Sequence, residues 1–166
     1  ELGLKVDISV LLRHAQQGYA GVNWKFGEDE AQDKLMDFFG QRLRAYWNGQ
    51  GVSTLVLEAA MAPGFADIHD TWLRVSALAE FSREDDFEAS VLTFKRAANI
   101  IRKQADQDLS GVVLEDLLEV DAEKSFWATL QGNETVWAEL AATADYTSML
   151  SRLRVLRPAV DEFFAG

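Results

Sequence analysis

Two prolines in 166 residues constrain this chain more than any other feature. Proline removes a backbone donor and interrupts helices, and clusters of proline and glycine are what divide a chain into many short strands. Here such interruptions are few, and apolar/polar alternation is scarce. Apolar residues instead recur at spacings of three and four, the period of a helix with one buried face. The pattern predicts an all-α chain, folded as an antiparallel helical bundle of about six to eight helices. No solenoid-like repeat and no low-complexity linker divides it. One helical domain over 1–166 is therefore expected, with 1–27 a leading helix and loop and 28–166 the bundle proper.

Leu4, Ile8, Leu11, Leu12 and Ala15 make one stripe that ends near Gly18. A loop with Gly21 and Gly27 follows. The next helix, 28 to about 50, carries Leu35, Phe38, Phe39, Leu43, Tyr46 and Trp47 as its expected apolar face. Its acids (Glu28, Asp29, Glu30, Asp33) lie at the N-terminal end and Arg42 and Arg44 towards the other, as the helix dipole favours. Gly49 and Gly51 end it, and Pro63-Gly64 ends a short helix over 52–62. Residues 66–81 form the next helix, with Ile68, Trp72, Val75, Leu78, Ala79 and Phe81.

Asp85 or Asp86 is placed to cap a helix over 87–103, whose expected apolar face is Phe87, Val91, Leu92, Phe94, Ala98 and Ile101. The acidic stretch 105–120 contains Ser110-Gly111 and room for one helical turn at 114–118. Asp121 is expected to cap a segment running to 144, broken at Gly132-Asn133. Asp145 is expected to cap the last helix, with Tyr146, Leu150, Leu153, Leu156 and Val160 inward and Pro158 as a kink or a new start.

The formal charge is −11, and there is no cysteine. The first excludes a uniformly basic surface; the second excludes disulfides, cysteine nucleophiles and thiolate metal sites. No apolar run approaches the length of a membrane span, and no signal peptide opens the chain. The sequence begins at Glu1 within a helical pattern, as expected of a piece of a longer protein. His14 and His69 are its two histidines. His69-Asp70 matches the dipeptide of metal phosphohydrolases, but that chemistry needs several further ligands. There is no glycine-rich phosphate loop, and the carboxylates sit in runs such as Glu84-Asp85-Asp86. No catalytic residue, metal ligand or cofactor of its own is assigned to this chain.

Charge distribution is more informative. Residues 89–105 hold Lys95, Arg96, Arg102 and Lys103 and no acid. Lys95 and Arg102 are seven apart, as are Arg96 and Lys103, so each pair lies two turns apart along nearly one line, with Asn99 close by. Cations so arranged track phosphates, and an amide can bond a base or sugar. Acid-free windows also surround Arg152, Arg154 and Arg157, and Arg42 and Arg44. The plainer alternative is solvated helix surface or pairing with acidic neighbours. Trp24, beside Lys25 in the first loop, suits base stacking, a partner interface or a plug into the bundle.

Asp86-Phe87-Glu88 followed by Phe94-Lys95-Arg96-Ala97-Ala98-Asn99-Ile100 resembles a segment of the bacterial glycyl-tRNA synthetase beta subunit. Further blocks resemble that family in the same order: Leu2 to Leu12, Leu35 to Tyr46, Arg74 to Phe81, Glu123 to Leu130, and Leu156-Arg157-Pro158-Ala159-Val160-Asp161-Glu162-Phe163-Phe164. The resemblance implies a DALR-like anticodon-binding region within a cytoplasmic, ATP-dependent ligase that charges glycine tRNA. It also implies an alpha subunit as partner in a heterotetramer, with the ATP used outside this segment. Carried over, tRNA contact falls on Lys95, Arg96 and Asn99, with Arg74, Arg42 and Arg157 secondary; the stripe adds Arg102 and Lys103. The alternative is a helical protein–protein module for subunit assembly, without RNA contact.

Overall fold

The computed structural model describes residues 5–19, 21–23, 25, 27–103 and 113–165. Among them are eight α-helices, one 3₁₀ turn and no strand, as an all-α chain requires. Trp24, Ser110-Gly111 and the opening Leu2 to Leu4 lie outside the described residues. The chain divides into two compact units, Glu1–Glu80 and Phe81–Gly166.

The first unit holds α1 (Ile8–Gln17), α2 (Glu28–Gly49), α3 (Thr54–Met61) and almost all of α4 (Ile68–Phe81). The Asp7 side chain starts α1 by accepting from the backbone N–H of Ser9 (2.8 Å) and Val10 (3.2 Å). A bond from the Ser9 hydroxyl is the largest of the effects holding the Asp7 carboxyl below its usual range. Ser53 caps α3 through the Val56 N–H. Gly51 joins α2 to α3 at φ +86°, a conformation that favours glycine.

Trp47, Leu57, Ala60, Met61 and Val75 form the buried centre, with Leu43, Val52, Phe65, Trp72 and Leu78 packed on it. Gly40 completes this face of α2: a Cβ there would lie 2.9 Å from the Phe65 ring. The expected apolar face of α2 is too broad by one edge. Leu35, Phe38 and Tyr46 are 44%, 49% and 63% exposed, because α1 and α3 pack against α2 and leave that edge uncovered. Ile68, at the start of α4, is also exposed.

The second unit holds α5 (Phe87–Lys103), a 3₁₀ turn at Glu115–Leu117, α6 (Asp121–Gln131), α7 (Glu134–Thr143) and α8 (Tyr146–Ala165). Helix α8 packs against α5, α6 and α7, burying Leu156 and Val160. It runs through Pro158 without restarting. The proline removes one backbone donor, and the packing of Leu156 and Val160 on either side carries the helix past it. Asp121 is the first residue of α6 rather than its cap. Glu123 does that work: its Oε2 accepts from the N–H of Glu119 (2.9 Å) and of Val120 (3.0 Å).

Ala144 ends α7 in the left-handed conformation, at φ 54°. Asp145 then caps α8 through the Ser148 N–H at 3.0 Å, and that bond is the largest of those holding its carboxyl below the usual range. Two outcomes are expected. Ala144→Gly relieves the Cβ contact of a left-handed residue and stabilises the fold by about 1 kcal/mol, read as a raised melting temperature. Asp145 has a depressed folded pKa, so its contribution is present at neutral pH and is lost as pH falls through that value. The melting temperature of Asp145→Ala is therefore below wild type at pH 7, and the gap narrows as pH drops below 3.8.

Candidate nucleic-acid interface

The rotation of α5 decides which of its side chains meet solvent. Its buried residues are Ser90 and Thr93, with Phe87, Phe94 and Ala97 half-buried beside them. This differs from the expected apolar face, since Val91, Leu92 and Ile101 are exposed. Polar contacts with α8 account for the difference. The Thr93 hydroxyl donates to Asp161 Oδ1 at 2.7 Å. Arg154 reaches Asp86 at 2.9 Å and Glu84 at 3.1 Å. Arg96 donates to the Phe164 carbonyl at 3.2 Å and lies 4.4 Å from the centre of its ring. The pairs 86–154, 93–161 and 96–164 share one offset of 68 residues, so α5 and α8 run parallel and in register.

Seen down the helix at 100° per residue, Arg102, Lys95, Asn99, Leu92, Lys103, Arg96 and Ile100 follow one another over an arc of roughly 160°. The arc is centred on Leu92, and the covered residues Thr93, Ala97 and Ser90 lie beyond its Ile100 edge, about 100–160° from that centre. A shallow depression of about 420 Å³ lies along it, lined by Leu92, Lys95, Arg96, Asn99, Ile100 and Lys103. Lys95, Asn99, Arg102 and Lys103 are exposed and have no ion pair or side-chain hydrogen bond among the described residues. Arg102 and Lys103 also sit in the last turn, where cations suit the helix dipole. Arg96 borders the depression while its guanidinium is held by Phe164. It has no ion pair within the described residues of its unit, and Asp86 is bound by Arg154 instead.

The cationic window of α8 is used internally. Arg154 bridges Glu84 and Asp86, and its hydrogen bond to Asp86 is the main cause of a pKa raised above the ordinary arginine value. Arg152 donates to Asn133 at 2.9 Å, and Arg157 lies 3.9 Å from Asp161, four residues on. Arg157 therefore stands beside α8's own acid and does not line the depression. In the first unit, Arg44 pairs with Glu58 at 2.7 Å. Arg42 lies over the Phe38 ring at 5.1 Å.

Arg74 is the most enclosed of the candidates, with its side chain 13% exposed. It donates to Asp70 at 3.0 Å, to the carbonyl of Ala60, to that of Gly64 at 2.7 Å and to the Thr71 hydroxyl at 3.2 Å. These contacts tie α4 to the end of α3 and the turn after it. His69 stacks on Trp72 with centroids 6.1 Å apart, and its neighbour Asp70 serves Arg74. Sequence reasoning did not place Leu92 and Ile100 on the cationic arc. The 3–4 spacing alone gives an apolar residue no means of declaring which neighbour covers it.

Fold and surface define a helical segment that displays a cationic arc on an anionic body. Over 99% of its length the chain is 47% identical to the glycine–tRNA ligase beta subunit of Solidesulfovibrio magneticus. It is 43% identical over its whole length to that of Nitratidesulfovibrio vulgaris (strain Hildenborough), and 36% identical over 98% to that of Acinetobacter baumannii. The chain spans about a quarter of the length of these curated relatives. It is thus homologous, from end to end, to a segment of glycine–tRNA ligase beta subunits, and the resemblance read from its motifs is shown. No family profile matches it, and no solved structure does. No helix among the described residues is long and apolar enough to cross a membrane.

The Arg74 contacts generate a prediction. Arg74→Ala leaves the Ala60 and Gly64 carbonyls without their donor and costs roughly 2–4 kcal/mol. Denaturant unfolding should show this loss as a lowered midpoint with the slope unchanged.

Proposed function

We propose that this chain is the part of a glycine–tRNA ligase beta subunit that holds the anticodon arm of glycine tRNA, through the outward arc of α5. One observation carries the reading. Four polar side chains, Lys95, Asn99, Arg102 and Lys103, project from one helix face with no acid paired to the cations among the described residues, in a chain whose net charge is −11. Such a cluster, without ion pairs among the described residues of an acidic chain, suits an anionic ligand. Phosphates neutralised by lysine and arginine fix the position of a nucleic acid, and amides and flat or apolar groups meet its splayed bases. Asn99, Leu92 and Ile100 supply the second kind of contact between cations that supply the first. Arg96 acts as a strut, because Phe164 already holds its guanidinium.

On this reading the segment recognises and does not catalyse. The alpha subunit and the remainder of the beta subunit carry the ATP-dependent chemistry, in the cytoplasm. Arg42 and Arg157 are secondary contacts. A second reading is favoured by one observation: Leu92 and Ile100 are 66% and 39% exposed in the middle of the arc, as at a protein interface. The arc would then hold the alpha subunit and no RNA.

The test uses the full-length beta subunit with its alpha partner. Lys95→Glu combined with Lys103→Glu should weaken glycine tRNA at least about tenfold and lower the dependence of log K on log salt by roughly two phosphate contacts. The melting temperature should fall by no more than a few degrees, since neither side chain has an ion pair or side-chain hydrogen bond among the described residues and an acid in the last turn of α5 costs only about 0.3–1 kcal/mol. Unchanged tRNA affinity with loss of the alpha subunit would select the second reading.

A further inference from the structure

The exposed edge of α2 is not accounted for by the arc on α5. Leu35, Phe38, Arg42 and Tyr46 are separated by three, four and four residues, so they form one line along the helix, about 16 Å long. Leu35, Phe38 and Tyr46 are the exposed large apolar residues of α2, at 44%, 49% and 63% exposure. Ala45 and Gly49, both exposed, flank the line on one side. A Cβ added at Gly49 would meet nothing within 4 Å. Tyr46 therefore stands beside a low shelf where a planar group can come close to the backbone.

The charge of this edge is also one-sided. Arg42 has no ion pair among the described residues, whereas Lys34 and Arg44 of the same helix pair with Glu30 and Glu58. The helix's acids at Asp29, Asp33 and Asp37 fall on other faces of the wheel. The Arg42 guanidinium lies over one face of Phe38, while the Phe39 ring meets Phe38 edge-on at 5.8 Å. The guanidinium thus rests against an aromatic ring, and Arg42 is itself exposed. The Tyr46 side chain makes no ring contact or hydrogen bond among the described residues. An exposed cation resting on a ring, an open tyrosine ring and a low shelf beside it match the chemistry of an unpaired nucleotide: a base that stacks and a phosphate that pairs.

We infer that the Phe38–Arg42–Tyr46 edge of α2 is a second RNA contact, taking an unpaired nucleotide with its base stacked on Tyr46 and its phosphate on Arg42. This rests on RNA being the ligand of the chain, and it adds a stacking site that no cationic stripe predicts. Stacking and phosphate contacts differ in their response to salt, which allows the two roles to be separated. A stacked base releases no counterion, whereas a neutralised phosphate does.

The experiment measures binding of glycine tRNA to the full-length beta subunit with its alpha partner across a salt series. Tyr46→Ala should lower affinity by roughly 5- to 150-fold, the range for loss of one stacked base, with the salt slope unchanged. Tyr46→Phe should bind as wild type. Arg42→Gln should lower the slope by about 0.7, the loss of one single-stranded phosphate contact. If Tyr46→Ala binds tRNA as wild type while the Lys95→Glu/Lys103→Glu pair is weakened, this inference is overturned and the proposed function stands. If both sets bind as wild type, RNA recognition itself is lost along with it. Release of the alpha subunit by Tyr46→Ala, with tRNA affinity retained, would make the edge a protein contact and equally overturn the inference.

Discussion

The second unit depends on the register between α5 and α8. Three ties at one constant offset, Asp86 to Arg154, Thr93 to Asp161 and Arg96 to Phe164, hold two parallel helices side by side over about three turns of each. Each tie is polar or cationic, so each tolerates one rotation of α5 and penalises the others. A rotation that buried Val91 and Leu92 in place of Ser90 and Thr93 would bury more carbon. It would also strand Asp161 without the Thr93 hydroxyl and turn lysines towards α8. Hydrogen-bonding partners, being directional, override apolar area at this contact.

That rotation has a functional consequence. With Ser90, Thr93 and Ala97 against α8, the opposite arc carries Lys95, Asn99, Arg102 and Lys103 into solvent. The arginines of α8 face the other way in chemical terms: Arg154 and Arg157 stand beside carboxylates and Arg152 beside Asn133. Cations of one sequence class thus divide into two groups. Arg152 and Arg154 of α8, with Arg96 of α5, hold elements of the unit together, and Lys95, Arg102 and Lys103 of α5 have no such contact among the described residues. The same division runs through the first unit, where Arg74 and Arg44 are occupied by the fold and Arg42 rests only on Phe38.

Homology over the whole length places these helices within glycine–tRNA ligase beta subunits without saying which face meets a ligand. The faces follow from the pairing of side chains. An arginine enclosed by four acceptors, as Arg74 is, contributes to stability, and a lysine with none contributes to the surface potential. Judging candidates by their acceptors therefore ranks Lys95, Asn99, Arg102 and Lys103 above Arg74 and Arg157, although all six share residue types that bind phosphate.

Much was legible in the residues alone. The scarcity of proline and the 3–4 spacing determined an all-α chain, and glycines and acids marked most helix ends. Asp145 caps α8 and Gly18 follows α1 as read, because a cap is a bond between near neighbours in sequence. The α6 cap was misassigned to Asp121, since Glu123 reaches back from within the helix. The left-handed end of α7 carries alanine, so no glycine announced it. What tertiary structure alone decided was the side of each helix that is covered. The expected faces of α2 and α5 were too wide or wrongly turned, and the partners of every arginine were unknown. Periodicity states that a helix has an apolar side. Which part of that side is buried depends on neighbours tens of residues away in sequence, with directional bonds that no local pattern encodes.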